Sequence, residues 1–449
     1  MTHSRDIELG DECPTPLSRL TELAKEDPAR RFYSIAHFLT PMALYEALKE
    51  LRRDASAGVD GITFREYQKE LGKNLTNLWE RVKSGEYRAQ PLKRVYIPKE
   101  DGKSQRPISI PSLEDKIVQA ATVRLLNAIY EVDFLDCSFG SRPGRNPHQA
   151  LDEIDRVLFR EPVGWVLELD IKSYFDSIVR RHLVELIERR VSDGSILRLI
   201  GKWINVGVIE EGRLLQTEEG VPQGQVVSPL LANVYLHHVL DKWFEGEVKP
   251  RLKGKAFLVR YVDDAVICFQ YEGDARKVLE VLAKRFSNYG LTLHPEKTRL
   301  VEFGRAAFDK ARRMGKAPDT FDFLGFTHFP EKSRRGSYRP GVRTMRKRLK
   351  RGLKSVGEWC KTHRHDPVAE QQRTLNAKLQ GHYQYYGRSS NYQGLLRFYK
   401  IVVRTWHKWL SRRKRGNPMP WGKFENLLDR HPLLKPQITH SWAGARSPA

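Results

Sequence analysis

The chain has 449 residues, with 78 Lys+Arg against 55 Asp+Glu and a formal net charge of +23. At 40% hydrophobic and 30% charged residues, it is long enough for roughly two to four domains and a core that needs no disulfide staples. No apolar run approaches the roughly 18 residues of a membrane span, the mixed-charge N-terminus is unlike a signal peptide, and the four cysteines form no C-x-x-C pair, so the composition reads as a reduced, cytosolic, globular protein.

Residues 1–30 are polar and read as an N-terminal extension. Residues 32–93 have a helical pattern, broken by the turn-like Ala57-Gly58-Val59-Asp60-Gly61. Arg94-Val95-Tyr96-Ile97-Pro98-Lys99 reads as a short strand running into the turn Glu100-Asp101-Gly102-Lys103. Ile117, Ala121, Leu125 and Ala128 share one helical face over residues 114–130. A basic loop, Ser141-Arg142-Pro143-Gly144-Arg145, precedes another helix, and residues 305–320 read as a basic connector.

Two apolar runs carry acids. In Val166–Ile171, Leu167, Leu169 and Ile171 share one face of a strand and Asp170 takes the other. In residues 257–269, Asp263 and Asp264 interrupt two apolar strands, as at the tip of a β-hairpin. Taken singly, each fits ordinary turn or cap chemistry. If a neighbouring strand brings Asp170 beside the tip, three carboxylates repel one another. Divalent cations relieve that repulsion, and Mg²⁺ on oxygen ligands suits phosphoryl transfer.

The charge excess is local. From Glu331 onward there are 28 Lys+Arg and 6 Asp+Glu, a net of +22, whereas the first 330 residues carry +1. Such a region suits a polyanion, because neutralised phosphates release counterions. Arg397, Lys400, Arg404 and Lys408 recur opposite the apolar face of Leu395, Phe398, Val402 and Trp406. Acids barely interleave, which favours a phosphate-facing stripe over a merely solvated helix.

Ordered blocks from Phe32 to Trp442 resemble the reverse transcriptases encoded by group II introns, also called maturases. They are Tyr96–Lys99 and Ser138–Arg145, Leu169–Asp176, Gly220–Asn233, Tyr261-Val262-Asp263-Asp264, Gly290–Thr298, Phe323-Leu324-Gly325-Phe326 and Leu375–Gly387. The resemblance implies an α+β right-hand polymerase: fingers over 31–160, an RRM-like palm over 161–330 and a basic helical thumb, or maturase domain, over 331–449. It implies that Asp170, Asp263 and Asp264, with the Ile171 carbonyl, hold two Mg²⁺ ions, with Mn²⁺ as a substitute. It makes Phe175 the gate that rejects a 2′-OH and sets Gln223 over the incoming nucleotide. Lys99 and Lys116 become triphosphate contacts, with Arg106 in competition, and Lys297 a partner of the departing pyrophosphate.

By the same resemblance, the partners are an RNA template, a DNA or RNA primer, dNTPs and structured intron RNA, in the bacterial cytosol or nucleoid. Arg142 and Arg145 join the Arg397–Lys408 stripe as nucleic-acid contacts. The aromatics of 375–387 either stack on unpaired bases or sit in the core, and His382 reads as structural. Monomer and homodimer both stay open. So do two alternatives to an intron-borne enzyme: a freestanding relative in DNA repair or phage defence, and a non-catalytic splicing factor. The intact acids oppose the latter, and Phe175 as gate opposes RNA synthesis. Val262, where the family has Ala, and Gln225, where it often has Gly, are departures. With no H-N-H-type segment or C-x-x-C pairs, no endonuclease domain is expected.

Overall fold

The computed structural model describes residues 16–98, 105–216, 219–333, 336–413 and 418–441. Lys99 and the turn expected at 100–103 lie outside them. Helices and sheets are mixed along the chain. The strands are β1 (Leu92–Pro98), β2 (Gln105–Ile110), β3 (Trp165–Leu169), β4 (Val208–Glu210), β5 (Arg213–Leu215), β6 (Ala256–Tyr261), β7 (Asp264–Phe269), β8 (Arg299–Glu302), β9 (Phe321–Phe323), β10 (Phe326–Lys332) and β11 (Tyr338–Thr344). They form three sheets, ordered β2-β1-β4-β5, β6-β7-β3-β8 and β11-β10-β9.

The central sheet β6-β7-β3-β8 is antiparallel throughout. Its strands are short and nearly all apolar because helices and other strands cover both faces. Leu167, Leu169 and Ile267 pack into a cluster built on the helix Leu113–Asp133. That helix starts at Ser112, whose side chain accepts from the Asp115 amide. On the other face, Val166, Val259, Val266 and Val301 pack against Leu151, Ile154 and Leu158 of the helix Pro147–Arg160. A reciprocal Asn146–Gln149 capping box and a proline at the first turn fix the start of that second helix.

The third sheet adds Phe321, Phe323, Phe326 and Val342 to this second cluster. The connector expected at 305–320 contains the helix Arg305–Arg313, and its buried Ala307 seats it on the fold. The basic C-terminal region has its own core, in which helices Arg346–Thr362, Val368–Tyr386 and Tyr392–Leu410 enclose Leu375, Leu379, Phe398, Val402 and Trp406. Among the described residues no helix is long and apolar enough to cross a membrane.

Candidate active site

Strand register brings the acids together. β6 and β7 pair Tyr261 with Asp264, which leaves Val262 and Asp263 as a two-residue turn. β3 and β7 pair Leu169 with Ala265. One step on along both strands, Asp170 therefore comes opposite Asp264, at the sheet end that carries the turn. Asp263 and Asp264 are half-buried, and this burial raises both carboxyls, with the charge of Asp170 adding to the rise. Asp264 is pushed up to about 7, although the Leu324 amide donates to its carboxylate at 3.3 Å.

Asp170 is more open and is held from its far side. The amide of His294 donates to its carbonyl at 2.8 Å, and the Lys297 ammonium lies 3.1 and 3.3 Å from its carboxylate oxygens. The half-buried acids and the one ammonium make a hard-oxygen donor set short of positive charge, the chemistry that Mg²⁺ answers. Among the described residues no three His, Cys, Asp or Glu side chains converge on one ion position as they stand.

Two segments far apart in sequence are joined beside the acids. Phe175 lies in the short helical turn Tyr174–Ser177, half-buried against the main core. Its carbonyl accepts from the Val221 amide at 2.8 Å, and the Ile178 carbonyl accepts from Gly220 at 3.0 Å. Gly220 has φ +84, and a Cβ there would stand 2.9 Å from the Asp176 backbone, so only glycine lets the segments meet. Three residues on from Gly220, the Gln223 carbonyl accepts from the Ser109 amide of β2 at 2.7 Å. Phe175, Gln223 and β2 thus stand on contiguous backbone near the acids.

The cations sort differently from the sequence expectation. Lys116 is half-buried and donates to the Ser56 carbonyl at 2.6 Å, and burial lowers its pKa. Arg106, exposed on β2, is close enough for its charge to lower the Asp263 pKa. Arg142 requires a correction: its side chain is 4% exposed, paired with Glu131 at 3.0 Å and donating to the carbonyls of Leu135 and Ser138. It pins its own loop and presents nothing to a phosphate. Arg145 pairs with Asp136 at 2.6 Å and keeps 28% of its side chain exposed. Arg397, Lys400, Arg404 and Lys408 are all exposed, opposite a buried face.

The remaining motif residues pack into the interior. His382 stacks on Phe398 with ring centroids 3.7 Å apart, and burial pushes its pKa down to about 4. Tyr383 is buried, while Tyr385 and Tyr386 lie against Phe326. Gln225 is 3% exposed; it accepts from the Gln119 amide at 2.7 Å and donates to the Trp203 carbonyl at 2.9 Å. Its substitution for glycine is therefore structural. The sequence reading passed over Arg260, an arginine inside an otherwise apolar strand. That placement was the available signal, because a buried charge requires a partner.

The chain belongs to the reverse transcriptase (RNA-dependent DNA polymerase) family, whose profile matches residues 97–328, just over half of the chain. It is 37% identical over 242 residues to protein YkfC of Escherichia coli K12, covering 51% of this chain and 63% of YkfC. It is 35% identical over 228 residues to the group II intron-encoded protein LtrA of Lactococcus lactis subsp. cremoris, covering 51% of this chain and 38% of LtrA. Over 159 residues it is 28% identical to nuclear intron maturase 4 of Arabidopsis thaliana, covering 34% and 19%. The matches span less than two thirds of the length of each relative.

Proposed function

We propose that the protein is an RNA-directed DNA polymerase that also binds structured intron RNA as a maturase does. The observation that carries this reading is the register that sets Asp170 opposite Asp264, beside Asp263 in the hairpin turn. In this reading Asp170, Asp263, Asp264 and the Ile171 carbonyl hold two Mg²⁺ ions. When bound, these ions activate the primer 3′-OH and stabilise the leaving oxygen. Phe175 closes the space at the sugar C2′, and Gln223 meets the nucleotide as a neutral amide that leaves the local charge undisturbed. Arg106 is better placed than Lys116 to meet a triphosphate, and Lys297, already on Asp170, is placed to meet the departing pyrophosphate.

The fingers, palm and thumb divide at about 160 and 330 in this proposal. β10 runs through residue 330, so palm and thumb share a sheet at the join. The C-terminal helices offer the basic face to template–primer or intron RNA. Primer extension on an RNA template tests the reading. Asp170→Asn and Asp263→Asn should each abolish dNTP incorporation while leaving RNA binding nearly intact. Extension by either folded variant at the unaltered rate would remove these residues from the site.

A further inference from the structure

The tip of the acidic hairpin is held in a conformation its sequence resists. Val262 has φ +59. A β-branched residue there is a steric outlier and persists only where its surroundings impose the conformation. Arg260, two residues back and wholly buried, bonds to this residue. Its Nη1 donates to the Val262 carbonyl at 2.9 Å and to Asn233 Oδ1 at 3.0 Å. Nη2 donates to Ser138 Oγ at 2.8 Å and to Asp241 Oδ2 at 2.5 Å, while Nε donates to Asp241 Oδ1 at 2.8 Å. All five guanidinium N–H groups are used, so the side chain has no second arrangement of equal quality.

The same residues close on the tip from a second side. The Arg260 amide donates to the Cys137 carbonyl at 2.7 Å, and the Phe139 amide donates to the Arg260 carbonyl at 2.8 Å. Asn233 Nδ2 donates to the Gly140 carbonyl at 2.7 Å. Gly140 in turn presses on the turn: a Cβ there would stand 2.5 Å from the Val262 nitrogen. Residues 137–140, Asn233 and Asp241 are thereby locked to the peptide that precedes Asp263.

We propose that Arg260, clamped by Asp241, Asn233 and Ser138, is a positioning residue that holds Val262 left-handed and so fixes Asp263 for the reaction. This rests on the reading of the site as a polymerase centre. A buried Arg–Asp pair that served the core alone would not need a donor on the Val262 carbonyl. Lysine preserves the charge for Asp241 but lacks the fork that serves Val262, Asn233 and Ser138 together.

Arg260→Lys tests the proposal in the full chain. It should lower kcat by about 10- to 100-fold, the scale of a small misplacement of a reacting group. The KM for dNTP and the affinity for primer–template should stay unchanged, and half-saturation should need more Mg²⁺. Independently of activity, hydrogen exchange in the 258–267 peptide should quicken. Adding Val262→Gly removes the strain that the clamp opposes and should recover part of the lost kcat.

A folded Arg260→Lys with unaltered kcat and exchange overturns the proposal. So does a loss that Val262→Gly does not reduce, because that is a core defect. If Arg260→Lys does not fold, Ser138→Ala, which deletes one donor–acceptor pair, should show smaller shifts in the same directions; none overturns the clamp. If the unaltered protein binds primer–template yet makes no DNA, the polymerase reading fails, and the exchange measurement still decides the clamp.

Discussion

Replacing Arg397, Lys400, Arg404 and Lys408 together by alanine asks whether the C-terminal charge engages phosphate. All four are exposed on the helix Tyr392–Leu410, whose opposite side buries Leu395, Phe398, Val402, Trp406 and Leu410. Among the described residues none of the four has an acidic partner, so no ion pair competes for them. Each phosphate contact contributes about 0.7–0.9 to the slope of log K against log salt, so four contacts contribute about 3. The unaltered protein should then lose about eightfold more affinity than the variant at each doubling of salt. The helix should remain folded, since its packed face is untouched and alanine is a good helix former. Base preference should hold, because phosphate contacts position rather than specify. The assay is fluorescence anisotropy with RNA and primer–template across a salt series, with circular dichroism as the control for folding. A folded quadruple variant with the unaltered slope would refute the reasoning.

Phe175→Ala should raise ribonucleotide kcat/KM relative to deoxynucleotide by about tenfold or more, since in the proposed reading the ring is the group set against a 2′-OH; an unchanged ratio with activity retained returns Phe175 to the core. Gln225→Gly, which restores the residue common in the family, should destabilise the fold by about 2–4 kcal/mol, because it strands the Gln119 amide and the Trp203 carbonyl in the interior; equal urea midpoints would contradict this. His328 is fully buried against Phe321, and burial pushes its pKa down to about 3. Below the ordinary histidine pKa the unfolded chain takes a proton that the native state refuses, so stability falls as pH falls, by about 2 kcal/mol at pH 5. His328→Phe should flatten that dependence in urea unfolding at pH 7 and 5, and parallel curves for the two proteins would rule the histidine out.

The parts legible in sequence were those governed by local period. The alternation in 166–171, the two apolar runs around Asp263-Asp264 and the helical stripe at 395–410 correspond to β3, the β6–β7 hairpin and the helix Tyr392–Leu410. What escaped was decided by distant partners. Arg142 reads as a basic loop residue until Glu131, on the preceding helix, folds back over it. Lys116 sits on a predictable helix, but the carbonyl that takes its ammonium belongs to Ser56. Arg260 stands out as the one charge in an apolar strand, but its partners lie at 138, 233 and 241, out of reach of any local pattern. Charged side chains are the least readable from pattern because a single partner reverses their meaning from surface to core.

The same distant contacts explain why the carboxylates need the whole chain. Asp263 sits in a turn tied through Arg260 to residues 138, 233 and 241. Asp264 is reached from the other direction. Its carboxylate accepts from the amide of Leu324, which is itself left-handed at φ +48. The Leu324 carbonyl accepts from the Tyr385 hydroxyl at 2.9 Å, and the adjacent Gly325 carbonyl accepts from Met345 at 3.0 Å. The C-terminal helices therefore touch the acid centre through one turn, while residues 137–140, 233 and 241 touch it through another. Both turns carry a non-glycine residue at positive φ, a conformation that costs of order 1–3 kcal/mol and survives only when neighbours over-determine it. Strain at these two positions, on either side of the paired aspartates, ties the geometry of the acids to the C-terminal helices through one turn and to residues 137–140, 233 and 241 through the other. A loosened C-terminal region would take the Tyr385 and Met345 partners away from Leu324 and Gly325, so the basic helices share one hydrogen-bonded path with the Asp264 carboxylate.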